Sequence, residues 1–384
     1  MAPTARPVIE RVFPLNLTPF EGYMEWDDRD NYPMTFIVEL EFTGKLNRNA
    51  LEASLPDALA RHPLLRAWIG KAKGNRDCWI AAAQPNPKLD FAELGKPIDL
   101  PNGERIDLRK EVGLRIWVRY NDERTILTTQ FHHATCDGIG SYQFLGDWLW
   151  FYAERLGQPA EGSVPEFDPA GIRARNRANY NPDDYRLPNG KIRAEFGELK
   201  EVVVRGAIPL SRPSPSKRAE SFPGILSTEF DKEQYRRLRL AAESRGQSTN
   251  QLLIERLLVT VDRWNELHGQ KRSGKYAIMM PMDLRQSSDP NFSAVNVVTY
   301  AFLRRSRAEL KDPAQLQDSL REEMVHLMHQ RHGGPFMNML ASMQGPEMGE
   351  TVDRVASDAC LLQLFPIRVT RPSDSTCSFH AKEA

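Results

Sequence analysis

Two adjacent histidines stand three residues before an Asp-Gly pair in the stretch HHATCDG. The residues are His132, His133, Asp137 and Gly138. An imidazole has an ordinary pKa close to neutrality, so a histidine can remove a proton from an attacking nucleophile and later return it to a leaving group. The residue types therefore indicate general-base catalysis, in which a positioned side chain contributes about 10²–10⁴-fold to the rate.

The segments on either side of HHATCDG predict how the stretch is positioned. The segment 124–131, RTILTTQF, alternates like a strand and follows a similar strand at 114–120. The segment that begins at Gly138, GIGSYQFLGDWLWFYAERLG, has apolar residues at helical spacing. The predicted buried face of this helix consists of Ile139, Tyr142, Leu145, Leu149, Tyr152 and Leu156. HHATCDG is therefore expected at a strand end, where a rigid scaffold presents reactive side chains.

Two other kinds of chemistry have weaker signals in the same stretch. His133, Cys136 and Asp137 are all metal-ligand types, but no companion cluster occurs elsewhere in the sequence, so no metal site is expected. Ser141 lies in GIGSY, which lacks the G-x-S-x-G spacing of a nucleophile elbow. A covalent enzyme intermediate is therefore not expected.

The rest of the chain alternates between strand and helix patterns without the regular order of a parallel α/β sheet. Strands are predicted at 34–42, 224–230, 275–282 and 295–303, and helices at 48–61, 231–245, 248–267 and 312–331. Residues 157–220 are rich in Pro, Arg, Asn and Asp, and include the linker-like PLSRPSPSKR. The pattern favours two α+β lobes.

The boundaries of these lobes follow from the composition. We expect an N-terminal lobe at 1–160 that carries HHATCDG, a linker or crossover region at 161–222, and a C-terminal lobe at 223–384. Only about fifty residues follow the predicted 312–331 helix, and the last twenty show neither a strand nor a helix period. A short, incomplete C-terminal lobe is therefore expected.

Charge and cysteine content narrow the partners and the compartment. Lys plus Arg and Asp plus Glu number 51 each, so the overall charge gives no argument for nucleic acid. The four cysteines are scattered without a CxxC pair, which favours reduced thiols and a cytoplasmic location. No secretory signal or apolar run of about eighteen residues occurs, so no transmembrane segment is expected, while peripheral membrane contact stays open.

HHATCDG matches the HHxxxDG motif of a large acyltransferase superfamily. Its members include peptide-forming condensation domains, wax ester synthase/diacylglycerol acyltransferases and alcohol acyltransferases. Three further segments resemble family landmarks in the expected order: RHPLLR at 61–66, SRGQSTNQLLIERLLVTVDRW at 244–264, and PMDLR at 281–285 followed by VNVV at 295–298. The chain thus resembles this superfamily from about residue 13 to about residue 330.

The resemblance implies a fold and a set of site residues. The fold would be two chloramphenicol-acetyltransferase-like lobes, each a mixed sheet packed with helices, with the active-site channel between them. By resemblance, His133 is the general base and His132 supports it. Asp137 would pair with an arginine, for which Arg66 holds the matching position, and so keep the loop in shape. Gly138 would allow a tight backbone at the helix start, and Asn296 would face the substrate channel.

The function that the resemblance implies is transfer of an acyl group from a thioester. Acyl-CoA as donor and an alcohol as acceptor form the leading hypothesis, an O-acyltransferase with no permanently bound cofactor. One alternative is a condensation-type enzyme that uses an acyl-phosphopantetheine thioester on a carrier protein and an amine acceptor. The other alternative is a non-catalytic relative that binds a lipid, a carrier protein or a partner.

Overall fold

The computed structural model describes most of both predicted lobes. The described residues are 12–30, 32–100, 103–158, 162–176, 207–211, 230–287, 289, 292–330, 336–337, 340, 362–363 and 378–382. They form a mixed α+β architecture of two lobes, as the sequence predicts. The strand predicted at 224–230 lies almost wholly outside the described residues, as does most of PLSRPSPSKR.

A five-stranded sheet forms the centre of the first lobe. Its strands are β2 (Thr35–Thr43), β5 (Leu89–Glu93), β6 (Leu114–Tyr120), β7 (Arg124–His132) and β11 (Ser378–Lys382), in the order β11-β2-β7-β6-β5. Strands β6 and β7 form an antiparallel hairpin, and β2 lies antiparallel on the other side of β7. The side-chain oxygen of Asn121 accepts the backbone N–H groups of Glu123 and Arg124 and so fixes the turn. Strand β7 is central and ends at the first motif histidine.

Two helices cover one face of this sheet. They are α2 (Arg48–Leu59), capped by Asn47, and α3 (Gly138–Arg155), capped by Asp137. The indole N–H of Trp148 on α3 donates to the backbone oxygen of Leu51 on α2. The buried residues of α3 are Gly140, Ser141, Phe144, Leu145 and Trp148. Of the predicted face, Leu145 is buried, Tyr142, Leu149 and Tyr152 are partly buried against the same core, and Leu156 is exposed, so the buried side is centred on Phe144 and Trp148 instead.

A smaller sheet and two short helices complete the first lobe. The sheet contains β1 (Leu15–Asn16), β3 (Ala67–Lys71) and β4 (Asp77–Ala81), and the helices are α1 (Pro19–Trp26) and α4 (Pro169–Arg173). Arg175, from the predicted linker, is buried and forms a forked ion pair with the fully buried Glu21 of α1. Arg175 is therefore packed against α1 and is not a solvent-exposed linker residue.

The second lobe packs helices against a three-stranded sheet. The strands are β8 (Lys275–Asp283), β9 (Val298–Ser306) and β10 (Leu362–Gln363), in the order β10-β8-β9. The helices are α5 (Lys232–Glu243), α6 (Thr249–Leu267) and α7 (Pro313–Gln330). Asp231 and Ser248 each form a capping box at the start of α5 and α6. The predicted helices thus form close to their expected bounds.

Two predicted features of the C-terminal half need correction. Strand β9 begins at Val298 rather than at 295, because the backbone N–H groups of Ala294 and Val297 donate to His62 and Asp137 of the first lobe. Residues 378–382, assigned from the sequence to the second lobe and to irregular structure, form β11 and pair antiparallel with β2. The chain therefore returns to the first lobe after the second. A polar segment that pairs with a strand over 300 residues earlier has no local sequence signal.

The two lobes share an apolar core. Rings of α1 meet rings of the second lobe there, with centroids 5.3 Å apart for Phe20 and Tyr300 and 5.4 Å apart for Tyr23 and Phe336. Phe292, Val295 and Val297 belong to the same buried cluster. In the described part of the chain, no helix is long and apolar enough to span a bilayer.

Candidate active site

His133 lies directly after β7, between the central sheet and the second lobe. Its backbone N–H donates to Met34 at 2.8 Å, and its ring packs against Phe36 with centroids 4.5 Å apart. The residue is 8% exposed. Burial, reinforced by the neighbouring His132, lowers the pKa of His133 to about 3. The imidazole is therefore neutral at pH 7, the form that accepts a proton.

Asp137 caps α3 and binds the second lobe at the same time. Its Oδ1 atom accepts the backbone N–H of Gly140 at 2.8 Å. Arg285 donates a forked pair of hydrogen bonds, at 2.9 Å to Oδ2 and 3.0 Å to Oδ1. The backbone N–H of Val297 donates to Oδ2 at 2.9 Å. With both oxygens occupied by these donors, the carboxylate holds the loop in place.

The partner of Asp137 is therefore Arg285, and the assignment of Arg66 to that role is wrong. Arg66 ends a short 3-10 helix, Pro63–Arg66, where its backbone oxygen accepts the N–H of Ala82. Arg285 is the last residue of the PMDLR landmark. The resemblance correctly implied that Asp137 pairs with an arginine. The arginine lies 148 residues further along the chain, and the sequence alone does not show that two such distant residues meet.

Asn296 is buried and binds the motif loop through its side-chain amide. Its Nδ2 group donates to the backbone oxygens of His133 at 2.7 Å and Ala134 at 3.1 Å. The Oδ1 atom is buried and has no hydrogen-bond partner in the described part of the chain. Asn296 also lines a small cleft, together with Thr18 and Arg175. Asn296 thus links the candidate base to the second lobe, and its substrate contact stays a prediction.

The two glycines at the start of α3 have different surroundings. A Cβ atom on Gly140 would lie 3.0 Å from both the N and O atoms of Val295. A Cβ atom on Gly138 would meet nothing within 4 Å. The close backbone approach expected at Gly138 therefore occurs at Gly140, where α3 touches the second lobe, while Gly138 borders open space.

A second link between the lobes involves residues that sequence reasoning did not select. The Nδ1 atom of His62 accepts the backbone N–H of Ala294 at 2.8 Å, and its Nε2 atom lies 2.9 Å from Asp147 of α3. Arg61 donates to Asp147 at 2.6 Å and to the backbone oxygen of Phe292 at 3.0 Å. Burial lowers the pKa of His62 despite the opposing effect of Asp147. The adjacent Arg61 and His62 in RHPLLR are the sequence feature that could have indicated this link.

His132 lies beside Asp28, a residue that the sequence does not single out. Its Nδ1 atom accepts the backbone N–H of Ala134 at 3.0 Å, so the ring carries its proton on Nε2 when neutral. That Nε2 atom lies 3.5 Å from Oδ2 of the buried Asp28. Asp28 lies between α1 and β2 and has no distinguishing sequence context. The carboxylate of Asp28 therefore lies next to the first histidine of HHATCDG.

The ligand types in HHATCDG are engaged in other interactions. Burial raises the pKa of the Cys136 thiol, so it stays protonated at neutral pH, and Asp137 is occupied by Arg285. Within the described ranges, no group of three or more His, Cys, Asp or Glu side chains is arranged to hold a metal ion. The described geometry therefore offers a proton acceptor at His133 and fixed donors around Asp137.

Comparisons with known proteins show several similar sequences. No family model matches the chain. A probable nonribosomal peptide synthetase of Salinispora arenicola, CymA, is 24% identical over 229 residues, which cover 54% of this chain and 3% of that protein. An uncharacterised protein of Mycobacterium tuberculosis is 24% identical over 283 residues, covering 71% of this chain and 62% of that protein. The chain thus spans less than two thirds of these relatives.

Solved structures show the fold more fully. The first condensation domain of the calcium-dependent antibiotic synthetase, solved with a substrate analogue, has a TM-score of 0.64 at 15% identity, covering 96% of this chain and 84% of that chain. The X-domain from teicoplanin biosynthesis, solved in complex with OxyB, has a TM-score of 0.56 at 19% identity, covering 89% and 77%. The chain therefore has the two-lobed fold of these condensation domains.

Proposed function

Because the chain has the condensation-domain fold, we propose that it transfers an acyl group from a phosphopantetheine thioester on a carrier protein to an amine, with His133 as general base. The observation that carries the proposal is the neutral, buried imidazole of His133, held where a strand of the first lobe meets the second lobe. The similarity to peptide synthetases favours this reaction over the acyl-CoA and alcohol pair expected from the sequence.

The proposed reaction needs one proton acceptor and no covalent enzyme intermediate. The amine nitrogen attacks the thioester carbon while His133 takes the proton from nitrogen. The C–N bond forms, the C–S bond breaks, and the proton passes from the imidazolium to the departing thiolate. Asp137 takes no proton in this scheme, because its oxygens are held by Arg285, Gly140 and Val297. Its role is to keep the histidine loop fixed.

The depressed pKa of His133 is compatible with a base that acts only when substrate is bound. In the free protein, burial disfavours the imidazolium. During attack, negative charge develops on the thioester oxygen, and a nearby negative charge raises the pKa of a histidine. The base therefore becomes stronger as the proton arrives, and it is unprotonated in the resting enzyme at neutral pH.

The test compares donors and acceptors in one assay. Purified protein is mixed with matched acyl-CoA and acyl-carrier-protein donors and with amine or alcohol acceptors, and free thiol and acylated product are measured for wild type and His133→Ala. We expect acceptor-dependent release from the carrier-bound donor, reduced about 10²–10⁴-fold by the substitution. Release with acyl-CoA and alcohols alone would restore the sequence-based hypothesis. Equal activity of the variant would refute the role of His133.

A binding relative without catalysis is the second candidate. The observation that favours it is the similarity to the X-domain, which was solved in complex with another protein, OxyB. This candidate predicts no acceptor-dependent thiol release from any donor by a protein whose folding is verified by circular dichroism. It also predicts that His133→Ala leaves binding to an acyl-carrier protein unchanged in titration calorimetry.

A further inference from the structure

We infer that Asp28 is a positioning residue that holds both histidines of HHATCDG. The inference rests on the proposed role of His133 as the base. Asp28 is buried, with its side chain 3% exposed, in the turn between α1 and β2. It contacts no reacting atom in the proposed scheme, and acts through its neighbours.

One connection runs through Met34 to the backbone of His133. Oδ1 of Asp28 accepts the N–H of Met34 at 2.8 Å. The oxygen of Met34 then accepts the N–H of His133 at 2.8 Å. Met34 is the residue before β2, so this bond extends the β2–β7 pairing beyond the strand end. Asp28 therefore holds Met34 in place, and Met34 in turn holds the backbone of His133.

The other connection runs to the side chain of His132. Because Nδ1 of His132 accepts the N–H of Ala134, the neutral ring directs its N–H at Nε2. The Oδ2 atom of Asp28 lies 3.5 Å from Nε2, within ion-pair distance, and Nε2 makes no hydrogen bond in the described part of the chain. The carboxylate thus favours the tautomer that leaves Nδ1 free to hold the loop at Ala134.

The charge of Asp28 is compensated by Arg105, which binds the same oxygen that lies near His132. Arg105 donates from Nε to Oδ2 at 2.5 Å. Burial opposes ionisation, but the contacts with His132, Met34 and Arg105 prevail and lower the pKa of Asp28. The group is therefore a carboxylate at neutral pH, which accepts hydrogen bonds from the donors of Met34 and Arg105 and lies 3.5 Å from a third donor, Nε2 of His132. An amide in its place would face two of those donors with its own N–H group.

The expected effect of losing this arrangement is on turnover. A base displaced by about 1 Å from its productive position can lose about 10²-fold in rate. Asp28→Asn keeps the size of the side chain and an acceptor for Met34, but removes an acceptor for Arg105 and His132. We expect kcat to fall 10- to 100-fold with KM within about threefold.

The experiment pairs this variant with a matched control. Glu255 is also a buried carboxylate, 2% exposed, that accepts a forked pair from Arg245 and a bond from Gln247, but it lies on α6 of the second lobe. Glu255→Gln should lower the melting temperature as Asp28→Asn does, while keeping kcat within about threefold of wild type. Acyl transfer is measured with the carrier-bound donor at 25 °C, below the melting temperature of each variant.

A second readout needs no substrate. In protein labelled with 15N-histidine, two-bond 1H–15N spectra report the tautomer of His132, assigned with His132→Gln. We expect the Nε2–H tautomer in wild type and Glu255→Gln, and a shift toward Nδ1–H in Asp28→Asn. An unchanged tautomer, or an unchanged kcat in Asp28→Asn, would overturn the inference. Full activity in His133→Ala would instead refute the proposed function, whatever the tautomer shows.

Discussion

Replacing Arg285 with methionine should destabilise the protein and loosen the histidine loop. The guanidinium is 12% exposed and the carboxylate of Asp137 is 6% exposed, so the ion pair is largely screened from water. The substitution keeps an unbranched apolar stem but removes both hydrogen bonds to Asp137 and the bond to the backbone oxygen of Val295. It leaves a buried carboxylate without a counter-charge.

The magnitude follows from what remains around the carboxylate. Removing one partner of a buried pair costs about 3–5 kcal/mol of unfolding free energy. Asp137 keeps the N–H groups of Gly140 and Val297, which are charge-assisted donors, so the lower end of that range applies. About 3 kcal/mol corresponds to a loss of roughly 6–12 °C in melting temperature for a domain of 150–250 residues.

The assay is a double-mutant cycle measured by urea unfolding and tryptophan fluorescence. Arg285→Met is combined with Asp137→Asn, and Arg66→Met with Asp137→Asn serves as the matched control. We expect a coupling above about 1 kcal/mol for Asp137 with Arg285, and a coupling within about 0.5 kcal/mol for Asp137 with Arg66. A larger coupling with Arg66 would refute the assignment of Arg285 as the partner.

Three further results are expected from the same region. The pKa of His133 is about 3 in the folded state and about 6.5 in the unfolded state, so the unfolded state takes up the proton first as the pH falls. The free energy of unfolding of wild type should therefore fall by about 2 kcal/mol between pH 7 and pH 5, as measured by urea titration at both pH values, and His133→Gln should not show this loss. Gly140→Ala should lower the melting temperature, because its Cβ would lie 3.0 Å from the Val295 backbone, whereas Gly138→Ala should not; equal effects would contradict the packing described. Asn296→Ala should reduce kcat about tenfold or more, because two backbone oxygens of the histidine loop lose their donor, and a change in KM alone would indicate a substrate contact only.

The sequence predicts the local parts of this site well. The alternation before His132 and the helical period after Gly138 predict the strand–turn–helix unit, and both elements form there. Helix caps are also local interactions: the side chains of Asn47 and Asp231 each accept the backbone N–H three residues further along the chain. These features depend on neighbours in the chain, which the sequence displays directly.

The interactions that join distant segments were not predictable in this way. The spacing of residues does not show that Asp137 meets Arg285, or that Asp28 lies beside His132. The segment before β9 has the composition of a strand, but the N–H groups of Ala294 and Val297 donate to His62 and Asp137. Each of these contacts joins residues that are far apart in the sequence, so it forms only when the whole chain has folded.

The placement of residues 292–297 has a consequence for chimeric proteins. This segment belongs by chain order to the second lobe, yet its N–H and C=O groups are bound by Arg61, His62 and Asp137 of the first. A chimera made by exchanging whole second lobes between relatives would separate the segment from the side chains that fit it. Moving it together with the first lobe, with crossover points on either side, should preserve the histidine loop. The histidine loop also needs Arg285 of the second lobe, so the part to exchange as one piece is the first lobe together with Arg285 and residues 292–297.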